Sequence, residues 1–307
     1  MNHILVLFLC LVTSFSVKGA HISLAIENLP STDNMTLISA VDINDSILGV
    51  LGKYKIPAVG FVNESRIYAD SNSANRIAIL RKWLDSGYEL GNQANSNKSF
   101  NLVADEEYFS EIINGEKVLT SLLKERNMKL RYFMPPYLHL GTNARAYNNL
   151  LSFLKSKSYI LVPVTMINDD WLFNRDYVKA IEMQDLKLAE EIKARYIKFT
   201  FDRLVFYTEA SRHIFGQEID QIFLLHLNKI NEDALDEIVK IPVKLGYSYI
   251  KLEQVLNSFP YNDPKYWGFA KSGASWMKRF DELDGKVVDW KREPQAEGYL
   301  DDLFVSN

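Results

Sequence analysis

An α/β fold, a (β/α) barrel of about seven parallel strands, is what the sequence predicts. Two observations lead there. Short apolar runs alternate with longer segments of helical spacing, and no Gly/Ser/Pro linker or internal repeat divides the 307 residues. Strand–helix alternation of this kind builds parallel strands joined by right-handed crossovers. A doubly wound open sheet is the alternative, and in either fold the reactive side chains gather at the C-terminal strand ends.

In chain order the strand-like runs are residues 21–26, 58–62, 88–90, 130–134, 159–164, 222–225 and 247–251. Helical spacing joins Ile77, Leu80, Arg81 and Leu84, then Ile112, Val118, Leu119, Leu122 and Leu123, and then Leu150, Leu151 and Leu154. Leu235, Ile238 and Val239 form another apolar face, which Pro242 and Gly246 are expected to end. Residues 176–216 read as two successive helices with no strand between them. After them, residues 259–307 form an aromatic-rich extension. Within it Trp276, Met277, Phe280 and Leu283 share one helical face, so the extension is expected to pack on the barrel.

The chain opens on the apolar run 4–12, too short to cross a bilayer, followed by small and polar residues. Residues 1–20 therefore read as an export signal, cleaved after Gly19 or Ala20; a buried first strand is the alternative. The barrel then spans 21–258, in a protein that is periplasmic or extracellular with no stable membrane span. The one cysteine, Cys10, lies in the signal, so neither an intramolecular disulfide nor a Cys-based zinc site is available. With 35 basic and 39 acidic residues the net charge is −4, and removal of Lys18 with the signal leaves −5. No basic block stands out, which argues against nucleic acid as a partner.

The predicted strand ends carry Glu27-Asn28, Asn63-Glu64, Asn92-Gln93, Pro135-Pro136-Tyr137, residues 168–171 and His226. Beyond the signal the histidines are His21, His139, His213 and His226, and none lies three or four residues from another. A local His pair for a metal is therefore absent. His213 falls in a helical stretch and reads as a surface or packing residue. His226, emerging from the apolar run IFLL, is either an acid/base group or a hydrogen-bonded structural histidine. G-x-S-x-G, G-x-x-x-x-G-K-[ST] and G-x-G-x-x-G are all missing, so serine-nucleophile and nucleotide chemistry have no support.

At these same positions the sequence resembles the polysaccharide deacetylases, the NodB-homology or carbohydrate esterase family 4 group. Ala25-Ile26-Glu27-Asn28-Leu29-Pro30 stands where the family has T-[FI]-D-D-x-P, and residues 91–97, GNQANSN, where it has G-N-H-[ST]-x-x-H. Met134-Pro135-Pro136-Tyr137 matches Arg-x-Pro-aromatic, Ile167-Asn168-Asp169-Asp170-Trp171 matches D-x-x-D-W, and residues 223–227, FLLHL, match L-L-L-H-[DA]. The run IPAVGFVN at 56–63 is similar to one subgroup's second strand. The resemblance covers nearly all of the chain beyond the signal and implies a NodB-type barrel that removes N- or O-acetyl groups from a carbohydrate or peptidoglycan fragment.

What it implies for the site is less complete. The family's base position holds Glu27, and the acid position holds His226. The three metal positions hold Asn28, Gln93 and Asn97, amides that Zn²⁺ accepts poorly. Gln93 and Asn97 are expected to hydrogen-bond one another or a sugar hydroxyl. Met134 replaces the family's Arg beside the base, and Ile167 replaces an Asp. Pro136, Tyr137, Asp170 and Trp171 remain as substrate-binding candidates. Tyr137 and Trp171 either stack on a sugar ring or roof the barrel, and Asp170 either meets the substrate or holds His226 or a backbone amide. The expectation is a protein with no cofactor and with metal-dependent activity lost or strongly reduced; the alternative is an active hydrolase with divalent Zn, Glu27 as base and His226 as acid. Asn34, Asn44, Asn63 and Asn97 each open an N-x-[ST] sequon.

Overall fold

The computed structural model describes residues 20–32, 35–271 and 275–304. Of the predicted export segment only Ala20 lies among them, and sequon Asn34 lies outside. The elements follow as β1 (His21–Leu29), α1 (Leu37–Tyr54), β2 (Ala58–Val62), α2 (Ser73–Asp85), β3 (Glu89–Asn92), α3 (Asp105–Asn114) and α4 (Lys117–Lys124). Next come β4 (Tyr132–Phe133), α5 (Ala144–Ser156), β5 (Ile160–Leu161), β6 (Met166–Ile167), α6 (Asp170–Glu182) and α7 (Leu186–Phe215). The chain continues through β7 (Gln221–His226), α8 (Lys229–Ile238), α9 (Lys240–Lys244), β8 (Ser248–Tyr249), α10 (Leu252–Leu256) and α11 (Trp276–Asp284).

Seven strands run in the order β5-β4-β3-β2-β1-β7-β6, all parallel, and β8 adds to the start of β1. The sheet curls into a half-barrel of the predicted α/β class. β1 sits at its centre between β2 and β7, which is why it reads as an almost unbroken apolar run buried along most of its length. Its pairing with β7 sets Glu27 directly beside His226. Against β2 its register shifts between Ile26 and Leu29, and Asn28 takes a φ of 70° there. Such a bulge redirects side chains at the end of a strand.

Two local expectations change. Met166–Ile167 forms a strand that lies outside the predicted run 159–164; at two residues it is too short to show a period. Pro242 does not end a helix but lies in the first turn of α9, where its missing N–H breaks no intrahelical bond. The helix pair expected at 176–216 is present as α6 and α7, with Asp185 capping α7 and Gly216 closing it at φ 69°. No helix among the described residues is long and apolar enough to cross a membrane.

The sheet path ends at β5 on one side and β6 on the other, leaving an open seam. The C-terminal segment fills it. Trp276 N–H donates to Val164 O at 2.7 Å and Ser275 Oγ–H to Thr165 O at 2.7 Å, both in the link between the two edge strands. Buried Trp276 packs edge-on against Phe280, and Phe280 against Phe215 of α7. Ser275 also caps α11 by accepting from Met277 N at 3.1 Å. Ser275→Ala is expected to lower unfolding free energy by about 1–2 kcal/mol, read from urea denaturation, with secondary structure unchanged.

Candidate functional site

The loops after β1, β3, β4, β6 and β7 enclose a cleft of about 410 Å³ at the C-terminal end of the sheet. Glu27 and Asn28 form one side with His226; Gln93 and Asn97 face them from the β3 loop. Leu138, Ile167 and Leu224 supply apolar surface, and Tyr137 and Trp171 stand at the rim, 56% and 54% exposed. Tyr137 is held outward by a left-handed backbone at φ 59°. Hollows of about 470 Å³ at the opposite end of the strands and about 500 Å³ between α1, α6 and α8 are larger, but neither gathers a histidine with opposed carboxylates.

At the centre His226 lies between two carboxylates. Its Nε2 is 2.6 Å from Glu27 Oε1 and its Nδ1 is 2.7 Å from Asp170 Oδ1. The Asp170 approach is oblique, which makes it an ion pair rather than a linear hydrogen bond. Burial alone would push the imidazole pKa down, but Asp170 and Glu27 together outweigh it and hold the value well above 6.5. The folded protein therefore keeps an imidazolium at neutral pH. Because the folded-state pKa is raised, the stability from this pairing is complete below pH 6.5 and is lost as pH rises through the raised value. His226→Gln should remove that alkaline-side loss from a profile of Tm against pH, leaving the curve flatter above neutrality.

Asp170 is fully buried and cannot touch a ligand, which corrects the expectation that it binds substrate. It accepts instead from His226 N at 2.9 Å, Asn231 Nδ2 at 2.7 Å and Asn228 Nδ2 at 3.2 Å. Asn231 is fixed in turn by Tyr196 Oη–H at 2.6 Å, and Tyr196 accepts from Asn168 Nδ2 at 2.9 Å. Asp170 thus orients the imidazole from below. Pro136 is likewise buried and away from the cleft lining. Glu64, expected at the reactive rim, is buried and accepts from Val118 N, capping α4.

Gln93 and Asn97 do not bond to one another. Gln93 Nε2 donates to Glu27 Oε2 at 3.0 Å and to Asn28 Oδ1 at 3.4 Å, while its Oε1 accepts from Asn28 N at 2.9 Å. Asn97 Oδ1 accepts from Asn63 Nδ2 at 2.8 Å. The sequence misses this because two amides of similar chemistry have no preferred partner until the loops set their distances. The same contacts test whether a zinc ion fits. Gln93 turns its amide nitrogen toward the carboxylate and engages its oxygen with a backbone N–H. Across the cleft, an imidazolium already neutralises Glu27. Zn²⁺ favours nitrogen and sulfur donors with ionic ligands, and this set offers neither. Among the described residues no three His, Cys, Asp or Glu side chains group to hold an ion. Sequons Asn44 and Asn63 are fully buried, and Asn44 is bonded to Pro30 O, Ala40 O and Trp83 Nε1, so neither presents an amide for glycosylation.

The geometry defines a curled parallel sheet with a histidine held between two carboxylates at its C-terminal mouth. Residues 20–154, from β1 into α5, match the polysaccharide deacetylase family model. That segment, a little under half of the chain, thus carries the polysaccharide deacetylase signature. Among solved structures it is similar to a carbohydrate esterase family 4 pseudoenzyme from Bacillus anthracis, with 14% identity and a TM-score of 0.51 over 78% of this chain and 66% of that one. A mutant of such a pseudoenzyme, described as having restored enzymatic activity, superposes at a TM-score of 0.53 and 14% identity, covering 78% of this chain and 69% of that chain. A peptidoglycan N-acetylglucosamine deacetylase superposes at 0.50 with 16% identity, covering 78% of this chain and 89% of that chain. At such identities the likeness is one of fold. No curated protein matches the sequence.

Proposed function

We propose that this protein is an exported carbohydrate-binding member of the polysaccharide deacetylase family in which metal-dependent N- or O-deacetylation is lost. The observation that carries the reading is Glu27, with one oxygen on the His226 imidazolium and the other on the Gln93 amide. A general base needs a free lone pair facing its water, and this carboxylate faces a cation and an amide instead. Without a metal the site has neither a Lewis acid nor a route to hydroxide near neutral pH. General acid–base catalysis alone contributes roughly 10²–10⁴-fold, a small part of what amide hydrolysis requires.

The cleft itself remains suited to a sugar. Exposed Tyr137 and Trp171 flank it, and Asn28 and Asn97 offer amide groups to hydroxyls. A carbohydrate or peptidoglycan fragment is the ligand class, and the apolar run 4–12 supports export to the compartment where such polymers lie. Binding of chitooligosaccharides, measured by calorimetry beside an assay for acetate, tests both halves. The expected result is saturable binding with no acetate, weakened roughly two- to tenfold in Trp171→Ala, which keeps wild-type stability. Acetate release that disappears in His226→Ala would establish instead the hydrolase with Glu27 as base and His226 as acid.

A further inference from the structure

We infer that the cleft selects a sugar bearing a free, protonated amino group over its N-acetylated counterpart, an inference that rests on the carbohydrate-binding reading above. The first support is the fixed charge. The ionisable side chains at the centre are Glu27, Asp170 and His226, and among the described residues no Lys or Arg lines the hollow. With the imidazole fully protonated one negative charge remains; with it neutral, two would. Neighbouring cations are already engaged: Lys98 with Glu107 and Glu111, and Arg203 with Asp169 and Glu293. Close to the largely buried Glu27 carboxylate in the wall of the cleft, at an effective dielectric well below that of water, an ammonium gains Coulomb energy that a neutral acetamide does not.

The second support is the hydrogen-bonding inventory. The amide side chains at the family's metal positions do not bind Zn²⁺, but their oxygens suit an ammonium, which offers three N–H donors. Asn28 Oδ1 has only the 3.4 Å approach of Gln93, and Asn97 Oδ1 keeps capacity beyond the one donor it now receives, while Glu27 contributes charge rather than a free lone pair. An acetamido group would bring a carbonyl acceptor into a place already rich in acceptors. The third support is the rim, where the exposed ring faces of Tyr137 and Trp171 attract a cation as well as a sugar's C–H surface.

The test is a pair of titrations of the full protein at low salt and about pH 6, where an amine of α-amino-like basicity is protonated. One uses a glucosamine tetrasaccharide and the other its fully N-acetylated counterpart, both followed by calorimetry. The amino form is expected to bind about tenfold tighter, an advantage that shrinks as salt rises. Glu27→Gln takes the formal charge sum to zero and should abolish most of that advantage, with circular dichroism and thermal unfolding showing the variant to be folded. Equal or tighter binding of the acetylated form, or an unchanged ratio in Glu27→Gln, overturns the inference and leaves the carbohydrate reading standing. If neither oligomer binds, the carbohydrate reading falls as well.

Discussion

Replacing Asp170 by alanine should lower the stability of the protein by about 3–5 kcal/mol, the range for removing one partner of a buried ion pair. The carboxylate is fully buried and receives hydrogen bonds from the His226 backbone, Asn228 and Asn231, besides the His226 imidazolium. Truncation strips the acceptor from the His226 backbone and Asn228 donors and leaves Asn231 Nδ2 with only His226 O, all around a fully buried position. It also removes an acid from the first turn of α6, where the helix N-terminus favours one. Asp170→Asn keeps the shape but presents a neutral group to the imidazolium, and should fall between wild type and Asp170→Ala. Urea denaturation of the three proteins reads the effect directly. A loss below about 1 kcal/mol for the alanine variant would mean that the network does not hold the site.

That network also shows what the sequence could and could not disclose. Strand–helix alternation and the apolar run at 21–26 were enough for the barrel, because burial on both faces leaves a continuous hydrophobic signature. The ordered strand-end phrases placed Glu27 and His226 at the C-terminal ends of their strands, and the β1–β7 register sets them side by side. What stayed hidden was partnership. Nothing in residues 228–231 announces that Asn231 reaches back to Asp170, since an Asn at that position reads as ordinary helix-start chemistry. Gln93 likewise gives no sign that it will bridge Glu27 and Asn28, because that depends on the Asn28 bulge and its positive φ. The seam-filling role of the C-terminal segment was legible only as an aromatic helical face; its docking onto Val164 and Thr165 is a property of the curled sheet.

A larger change is expected from rebuilding the metal site. Asn28→Asp, Gln93→His and Asn97→His together supply one carboxylate and two imidazoles around an open position, the donor set of a catalytic zinc site. The substitutions also remove the Gln93 amide from Glu27 and so free one of its oxygens. The triple variant should bind about one equivalent of Zn²⁺ and gain thermal stability in its presence, because an ion that binds only the folded state stabilises it. A weak acetate-releasing activity should accompany it, limited by a base one methylene longer than the family's Asp. A variant that folds yet takes up no zinc would mean that the β1 and β3 loops do not converge as described.

The most direct measurement is a Zn²⁺ titration of the unaltered protein by calorimetry, with metal content determined on the purified sample. The account predicts no stoichiometric binding and no metal-dependent rise in Tm, since the Gln93 amide and the His226 imidazolium already satisfy Glu27. One equivalent of tightly held zinc, with a stabilised fold, would contradict it.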